Sequence, residues 1–121
     1  MQNKYYIQQY GIYEYPKADE PAPDTNQVAA AEKVIEAMKA NLKGLEVGKN
    51  TNSRYSSYSY KHLFEKSTLY ENKIPYCSNG SAIQALVNQG FKIGKVSPPN
   101  CGFNLSKKGI QFLKSTIIKF Y

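Results

Sequence analysis

Six apolar residues recur at spacings of three, four, three, four and three, and this seam constrains the fold more than any other feature. They are Val28, Ala31, Ile35, Met38, Leu42 and Leu45. The spacing places them on one face of a helix of about five turns. Asp24 can cap this helix, and Gln27 at its third position can reach back to the cap. Because the seam lasts under three heptads, we expect core packing rather than a coiled-coil dimer.

A shorter helix is predicted to begin near Ser56 or Ser57 and to run to about Ser67. The polar, tyrosine-rich sequence before it indicates a surface loop. Lys61 and Glu65 are spaced for an i,i+4 ion pair on the outer face of this helix. The residues that it should bury are Tyr60, Leu63 and Phe64.

A third helix is predicted over residues 79–90. Ser78 and Asn79 offer capping oxygens, and Gly90 ends the helix. Because no Arg or Lys lies between Asn79 and Gly90, we expect this helix to pack rather than to read base edges. Its apolar stripe consists of Ile83, Leu86 and Val87, and its exposed positions should be Ser81, Gln84, Asn88 and Gln89.

Apolar alternation predicts strands on both sides of these helices. Tyrosine and isoleucine in residues 3–15 indicate an N-terminal strand or a bent, hairpin-like pair. Residues 91–96 and 101–105 alternate around the turn sequence SPPN, so a β-hairpin is expected there. Its Phe91 and Phe103 should be buried rather than exposed for stacking.

The last segment, from Ser106 onward, predicts a helix, although residues 115–121 also alternate as a strand would. The predicted order is strand, helix, helix, helix, hairpin, helix, and its two short helices followed by a β-hairpin have the order of a winged helix-turn-helix. The expected fold is α+β: a mostly helical single domain with a β-hairpin and an N-terminal strand, spanning 1–121. Its parts are a strand and Pro-rich connector (1–23), the long helix (24–47) and a basic helix-helix-hairpin-helix half (55–121).

Charge is distributed unevenly along the chain. Residues 1–71 contain nine basic and nine acidic residues, whereas residues 72–121 contain seven lysines and no acid, which accounts for the net charge of +7. An acid-free half attracts polyanions or an acidic protein surface, or it is a solvated surface that aids solubility. The candidate contact residues for a partner or nucleic acid are Lys92, Lys95, Lys107, Lys108, Lys61, Arg54, Tyr55 and Tyr58.

Few residues suit catalysis or metal binding. With one histidine and two isolated cysteines, Cys77 and Cys101, no zinc site and no cofactor are expected, and both thiols should be free and buried. His62, Glu65 and Cys77 could supply a base, an orienting group and a nucleophile, but a solvated His62 is the simpler interpretation. We therefore assign no catalytic residue. The sequence has no long apolar run and no secretory signal, so a cytoplasmic protein without membrane contact is expected.

Three segments together form one pattern. Residues 56–66 (SSYSYKHLFEK) contain its Tyr-Lys-His-Glu part, residues 76–91 (YCSNGSAIQALVNQGF) its Ser-Asn-Gly part, and residues 100–108 (NCGFNLSKK) its Asn-Phe-Asn part. This pattern resembles that of small proteins of phages and mobile elements. Ser59 stands where that pattern has glycine, and Cys77 where it has an aliphatic residue. The matching positions are Tyr58, Lys61, His62, Glu65, Tyr76, Ser78, Asn79, Gly80, Ile83, Gly90, Phe91, Asn100, Phe103, Asn104 and Ser106.

The resemblance implies a non-enzymatic phage-type accessory protein, an anti-CRISPR-like inhibitor of a nucleoprotein defence complex in the cytoplasm of a bacterial host. Because the chain is basic, such an inhibitor should bind nucleic acid or an acidic protein surface rather than mimic duplex DNA. One alternative is a winged-helix-like nucleic-acid-binding regulator with residues 79–90 as the recognition helix. Another is a small Cys/His-dependent enzyme.

Overall fold

The computed structural model of the protein describes residues 5–42, 56–66 and 76–103, without the side chains at 37–42, 59, 63 and 66. The fold is α+β, as predicted. The elements are β1 (Tyr6–Gln8), β2 (Gly11–Tyr13), α1 (Thr25–Leu42), α2 (Ser57–Lys66), α3 (Asn79–Asn88), β3 (Ile93–Ser97) and β4 (Asn100–Phe103). The predicted final helix lies outside the described residues.

The N-terminal segment forms a two-stranded antiparallel hairpin, the second of the two forms that the sequence allowed. Ile7 pairs with Ile12, and Gln8 pairs with Gly11 across a two-residue turn. The side chain of Gln8 then holds the proline-rich connector against this hairpin. Its Nε2 donates to the carbonyl oxygen of Lys17 at 2.8 Å, and its Oε1 accepts from the Lys17 amide at 2.8 Å.

The apolar seam of α1 is buried where the structure describes it. Val28, Ala31 and Ile35 are buried, and so is Val34, which the seam did not include. The side chains of the other seam positions, Met38, Leu42 and Leu45, lie outside the described residues.

Asp24 caps α1 as predicted, but Gln27 does not reach back to it. Asp24 Oδ1 accepts from the amides of Asn26 at 2.9 Å and Gln27 at 3.0 Å. The Asp24 amide instead donates to Gln9 Oε1 at 2.7 Å. Gln27 Oε1 accepts from the Ser78 amide at 3.0 Å, because the start of α3 lies beside the start of α1.

The central element is α3, which packs mainly against α1 and α2 and also contacts the N-terminal hairpin. Ser78 is its N-cap, with its Oγ accepting from the Ser81 amide at 3.1 Å. Ile83 and Leu86 are fully buried, and Gly90 follows the helix with φ +94°. The left-handed backbone at Gly90 is the conformation that glycine adopts without steric cost.

The prediction that Ser81 is exposed is wrong. Ser81 is fully buried, because its Oγ donates to Gln27 Oε1 at 3.1 Å across the α1–α3 contact. Of the other predicted exposed positions, Asn88 is exposed, whereas Gln84 and Gln89 are half-buried. The burial of seven α3 residues from Asn79 to Leu86 leaves this helix little surface to place in a groove of nucleic acid.

The predicted C-terminal hairpin is formed by β3 and β4. Ile93 pairs with Phe103, and Ser97 pairs with Asn100 across the Pro98–Pro99 turn. Phe103 is fully buried, and its ring meets the ring of Tyr60 on α2 at 6.0 Å between centroids. This edge-to-face contact joins the hairpin to the helical core.

Candidate functional site

One cleft gathers exposed tyrosines from separate parts of the chain. Its cavity has a volume of about 610 Å³, and we call it the tyrosine cleft. The lining residues are Tyr10, Tyr58, Lys61, Tyr76, Asn79, Pro99 and Asn100. They come from the turn of the N-terminal hairpin, α2, the segment before α3, the first turn of α3, the turn between β3 and β4, and the first residue of β4.

Exposed aromatic rings are concentrated at the tyrosine cleft. Four large apolar or aromatic side chains are exposed in the part of the chain that the structure describes, and all four are tyrosines. Tyr10, Tyr58 and Tyr76 line the cleft with 57%, 52% and 46% exposure, and only Tyr15 lies elsewhere. Such clustering indicates a contact surface, because exposed tyrosine offers contact area at a low cost in side-chain entropy.

Lys61 fixes two of these tyrosine rings. Its Nζ lies 5.3 Å from the ring centroid of Tyr58 and 5.0 Å from that of Tyr76, within the range of cation–π attraction. The same atom lies 3.6 Å from Glu65 Oε2, which confirms the predicted i,i+4 pair. The prediction that Lys61 lies on the outer, solvent-facing side of α2 is wrong, because Lys61 is only 7% exposed and lies against the two tyrosine rings.

Glu65 connects α2 to the segment that carries Tyr76. Its Oε2 accepts from the Cys77 amide at 2.7 Å, and its Oε1 lies 3.4 Å from His62 Nδ1. His62 in turn meets the Tyr58 ring edge-on, with 4.6 Å between ring centroids. Tyr58 is therefore held by a cation and an aromatic ring, so its orientation is largely set before any partner binds.

Asn79 ties together three segments at the cleft. Its Nδ2 donates to the carbonyl oxygen of Pro99 at 3.0 Å and to Asn100 Oδ1 at 2.9 Å, with the Tyr10 carbonyl oxygen at 3.4 Å. Its Oδ1 is buried and accepts no hydrogen bond from the described residues. A buried acceptor without a donor is uncommon, and it lies in a residue that lines the cleft.

His62 and Glu65 lie together, but Glu65 contacts the Cys77 amide rather than its thiol, whose Sγ donates to the Ser78 carbonyl oxygen at 3.6 Å. Cys77 is fully buried, and burial followed by the nearby Glu65 charge raises the pKa of its thiol to about 12, against an opposing effect of Lys61. Burial also raises the pKa of Cys101 to about 12. Both cysteines are free, as predicted. At neutral pH each thiol is protonated, whereas nucleophilic attack requires the thiolate.

The predicted contact residues separate into three groups. Tyr58 and Lys61 lie in the tyrosine cleft. Lys92 and Lys95 are exposed, just before and within β3, and neither lines the cleft. The remaining four, Arg54, Tyr55, Lys107 and Lys108, lie outside the described residues.

Sequence reasoning missed five residues of the cleft: Tyr10, Tyr76, Asn79, Pro99 and Asn100. The sequence pattern could have identified three of them, because it contains Tyr76, Asn79 and Asn100 together with the predicted contact residues Tyr58 and Lys61. These five pattern residues thus line one cleft although up to 42 positions separate them in the chain. The pattern does not contain Tyr10 and Pro99.

No protein-family model matches the chain, and no curated protein or solved structure shows significant similarity to it. Within residues 5–42, 56–66 and 76–103, no group of three or more His, Cys, Asp and Glu side chains could hold a metal ion. No helix among these residues has the length and apolar character needed to span a bilayer.

Proposed function

We propose that this protein is a non-enzymatic, phage-type inhibitor that binds a nucleoprotein defence complex in the cytoplasm of a bacterial host through the tyrosine cleft. The observation that carries the proposal is the convergence of Tyr10, Tyr58 and Tyr76 on one cleft. The lysine excess of residues 72–121 and the anti-CRISPR-like sequence pattern support a nucleoprotein as the target.

Two features support binding rather than chemistry. The Lys61 ammonium group is engaged by two rings and a carboxylate, so it serves to hold the cleft in shape. The raised pKa values of Cys77 and Cys101 keep both thiols protonated. A preformed surface is what an inhibitor that acts by occupancy needs.

The burial of α3 supports this function over that of a winged-helix regulator. A recognition helix presents one face to the major groove. Here Ser81 contacts Gln27 of α1, and Gln89 Nε2 donates to Glu32 Oε1 at 3.0 Å. These contacts use polar positions of α3 within the fold and place acidic side chains beside the helix, where DNA phosphates would be repelled.

The proposal is tested by the plating efficiency of a targeted phage on bacteria that express the protein together with one nucleic-acid-guided defence system. Wild-type protein should raise plating relative to an empty vector. The Tyr58→Ala, Tyr76→Ala double variant should lose this protection, because it removes two of the three exposed rings of the cleft.

Tyr15→Ala is the matched control, because Tyr15 is 79% exposed and does not line the cleft. It should protect as the wild type does, at equal protein levels by immunoblot. Failure of the wild type to protect against any of a panel of such systems would overturn the proposed function. Full protection by the double variant would show that the cleft is not the contact surface.

A further inference from the structure

We infer that the tyrosine cleft binds an extended, proline-rich peptide segment in a protein subunit of the target, with proline rings packed on Tyr58 and Tyr76. The inference rests on the proposed function, because it names the component of the nucleoprotein that the cleft contacts. Proline-rich segments bind in grooves lined by aromatic side chains, because the polyproline II helix is preformed and loses little entropy on binding. The cleft combines such a lining with little exposed charge and a hydrogen-bond donor for the peptide backbone.

The aromatic rings of the cleft are held in place within the protein. Lys61 Nζ lies 5.3 Å from the ring centroid of Tyr58 and 5.0 Å from that of Tyr76. His62 packs edge-on against Tyr58, with 4.6 Å between the ring centroids. About half of each tyrosine side chain nevertheless remains exposed, 52% for Tyr58 and 46% for Tyr76. Because the rings are already held, packing a proline ring against them costs little additional side-chain entropy.

The wall of the cleft at Pro99 and Asn100 is fixed by contacts with other segments. The carbonyl oxygen of Pro99 accepts from the Ile12 amide at 3.0 Å and from Asn79 Nδ2 at 3.0 Å. A Cβ at Gly11 would overlap Pro99, so the N-terminal hairpin lies directly against this turn. The groove is therefore formed before a ligand binds, as recognition of a preformed peptide helix requires.

The charge at the cleft favours a neutral ligand. Among the lining residues Lys61 alone is charged, and it is 7% exposed and lies 3.6 Å from Glu65. Lys92 and Lys95 do not line the cleft. A nucleic-acid strand or an acidic segment would thus meet no well-exposed cation among the lining residues, and a basic segment would meet no acid there. A proline-rich segment requires neither.

Asn100 offers a hydrogen-bond donor to the backbone of such a peptide. Its Oδ1 accepts from Asn79 Nδ2 at 2.9 Å, which orients the side-chain amide. Asn100 is half-buried, and its Nδ2 donates to no acceptor among the described residues. A polyproline II helix has no internal hydrogen bonds, and proline has no backbone N–H, so the peptide presents mainly free carbonyl oxygens. A donor in the cleft wall matches these acceptors.

Other modes of peptide recognition fit the lining of the cleft less well. An amphipathic helix binds through apolar anchors in a hydrophobic groove, whereas this lining consists of tyrosine, asparagine, lysine and proline. Acidic and phosphorylated motifs are bound by arginine clusters, and the lining contains no arginine. Addition of a strand uses the open edge of a sheet, and Asn100 alone among the lining residues belongs to a strand.

The test is fluorescence anisotropy with a labelled peptide of repeating Ala-Pro-Pro with blocked termini, about 12 residues long, which spans roughly 37 Å as a polyproline II helix. A peptide of repeating Ala-Gly-Gly of equal length and labelled oligothymidylate are measured in parallel. The wild-type protein should bind the proline peptide most tightly of the three. Its affinity for that peptide should change little with salt, because the peptide carries no charge.

Variants of the cleft should weaken binding of the proline peptide. Tyr58→Ala and Tyr76→Ala should each weaken it about 5- to 30-fold, the range for an aromatic residue at the centre of an interface. Tyr58→Phe, which keeps the ring, should recover most of the binding that Tyr58→Ala loses. Asn100→Asp should weaken binding about 2- to 12-fold, because it keeps the acceptor for Asn79 and removes the donor. Tyr15→Ala, outside the cleft, should bind as the wild type does.

The inference is overturned if wild-type protein binds the proline peptide no better than the glycine peptide or oligothymidylate, or if the alanine variants at positions 58 and 76 bind it like Tyr15→Ala. Unchanged circular dichroism of the variants excludes misfolding as the cause of weak binding. Phage protection by a protein that does not bind the proline peptide would refute the inference and leave the proposed function standing. Binding without protection would have the opposite meaning.

Discussion

At the scale of single residues, Gly80 shows how closely the N-terminal hairpin approaches α3. The Gly80 amide donates to the carbonyl oxygen of Gln9 at 3.1 Å, and a Cβ at this position would overlap the Gln8 carbonyl oxygen. The obstacle is backbone, which cannot move aside as a flexible side chain would. Glycine is therefore required here by close approach rather than by its φ angle.

Gly80→Ala should lower the free energy of unfolding by about 1–3 kcal/mol, the range for overpacking a dense site. The measurement is urea denaturation followed by circular dichroism. Ala18→Ser is the matched control, because it adds one atom to a side chain at an exposed position and should leave the free energy of unfolding nearly unchanged. An alanine at position 80 that unfolds at the wild-type midpoint would contradict this packing of hairpin against helix.

At the scale of elements, Gln27 joins α1 to α3. Its Oε1 accepts from the Ser78 amide at 3.0 Å, from Ser81 Oγ at 3.1 Å and from Gln9 Nε2 at 3.3 Å. One amide oxygen thus satisfies donors at the start of α3 and in the N-terminal hairpin. These donors are buried or half-buried, so losing their acceptor leaves polar groups unsatisfied.

Gln27→Ala should therefore lower the free energy of unfolding by about 1–3 kcal/mol, the cost of leaving a buried donor unpaired. Gln84→Ala is the matched control, because the Gln84 amide donates to Asn88 of its own helix, and this 2.8 Å hydrogen bond is exposed to solvent. Differential scanning calorimetry of the two variants measures the contrast. Equal melting temperatures for both would mean that Gln27 does not organise the α1–α3 contact.

At the scale of the whole molecule, local patterns predicted the elements better than their arrangement. The period of Val28, Ala31 and Ile35, the Ser78 cap and Gly90 were readable because each depends on neighbours within about two helical turns. The burial of Ser81 and Lys61 could not be predicted in this way. Both were placed outside on local periodicity, but contacts with Gln27 and with two tyrosine rings bury them.

The tyrosine cleft illustrates the same limit. Tyr10 and Pro99 line the cleft because the N-terminal hairpin crosses the start of α3 beside the turn between β3 and β4. The sequence around these two residues does not predict that crossing. The Ile12 amide donates to the carbonyl oxygen of Pro99 at 3.0 Å, which fixes the two hairpins together. The site is thus assembled by tertiary contacts between segments far apart in the chain, whereas its individual residue types were visible in the sequence.

The most direct test of the central claim, that partners bind at the tyrosine cleft, is fluorine NMR of protein that contains 3-fluorotyrosine at its eleven tyrosines. Signals are assigned by single Tyr→Phe variants at Tyr10, Tyr15, Tyr58 and Tyr76. The ligand is the purified defence complex against which the protein protects. The signals of Tyr10, Tyr58 and Tyr76 should shift or broaden on titration while that of Tyr15 stays unchanged. A shift of the Tyr15 signal with the three cleft signals unmoved would contradict the account.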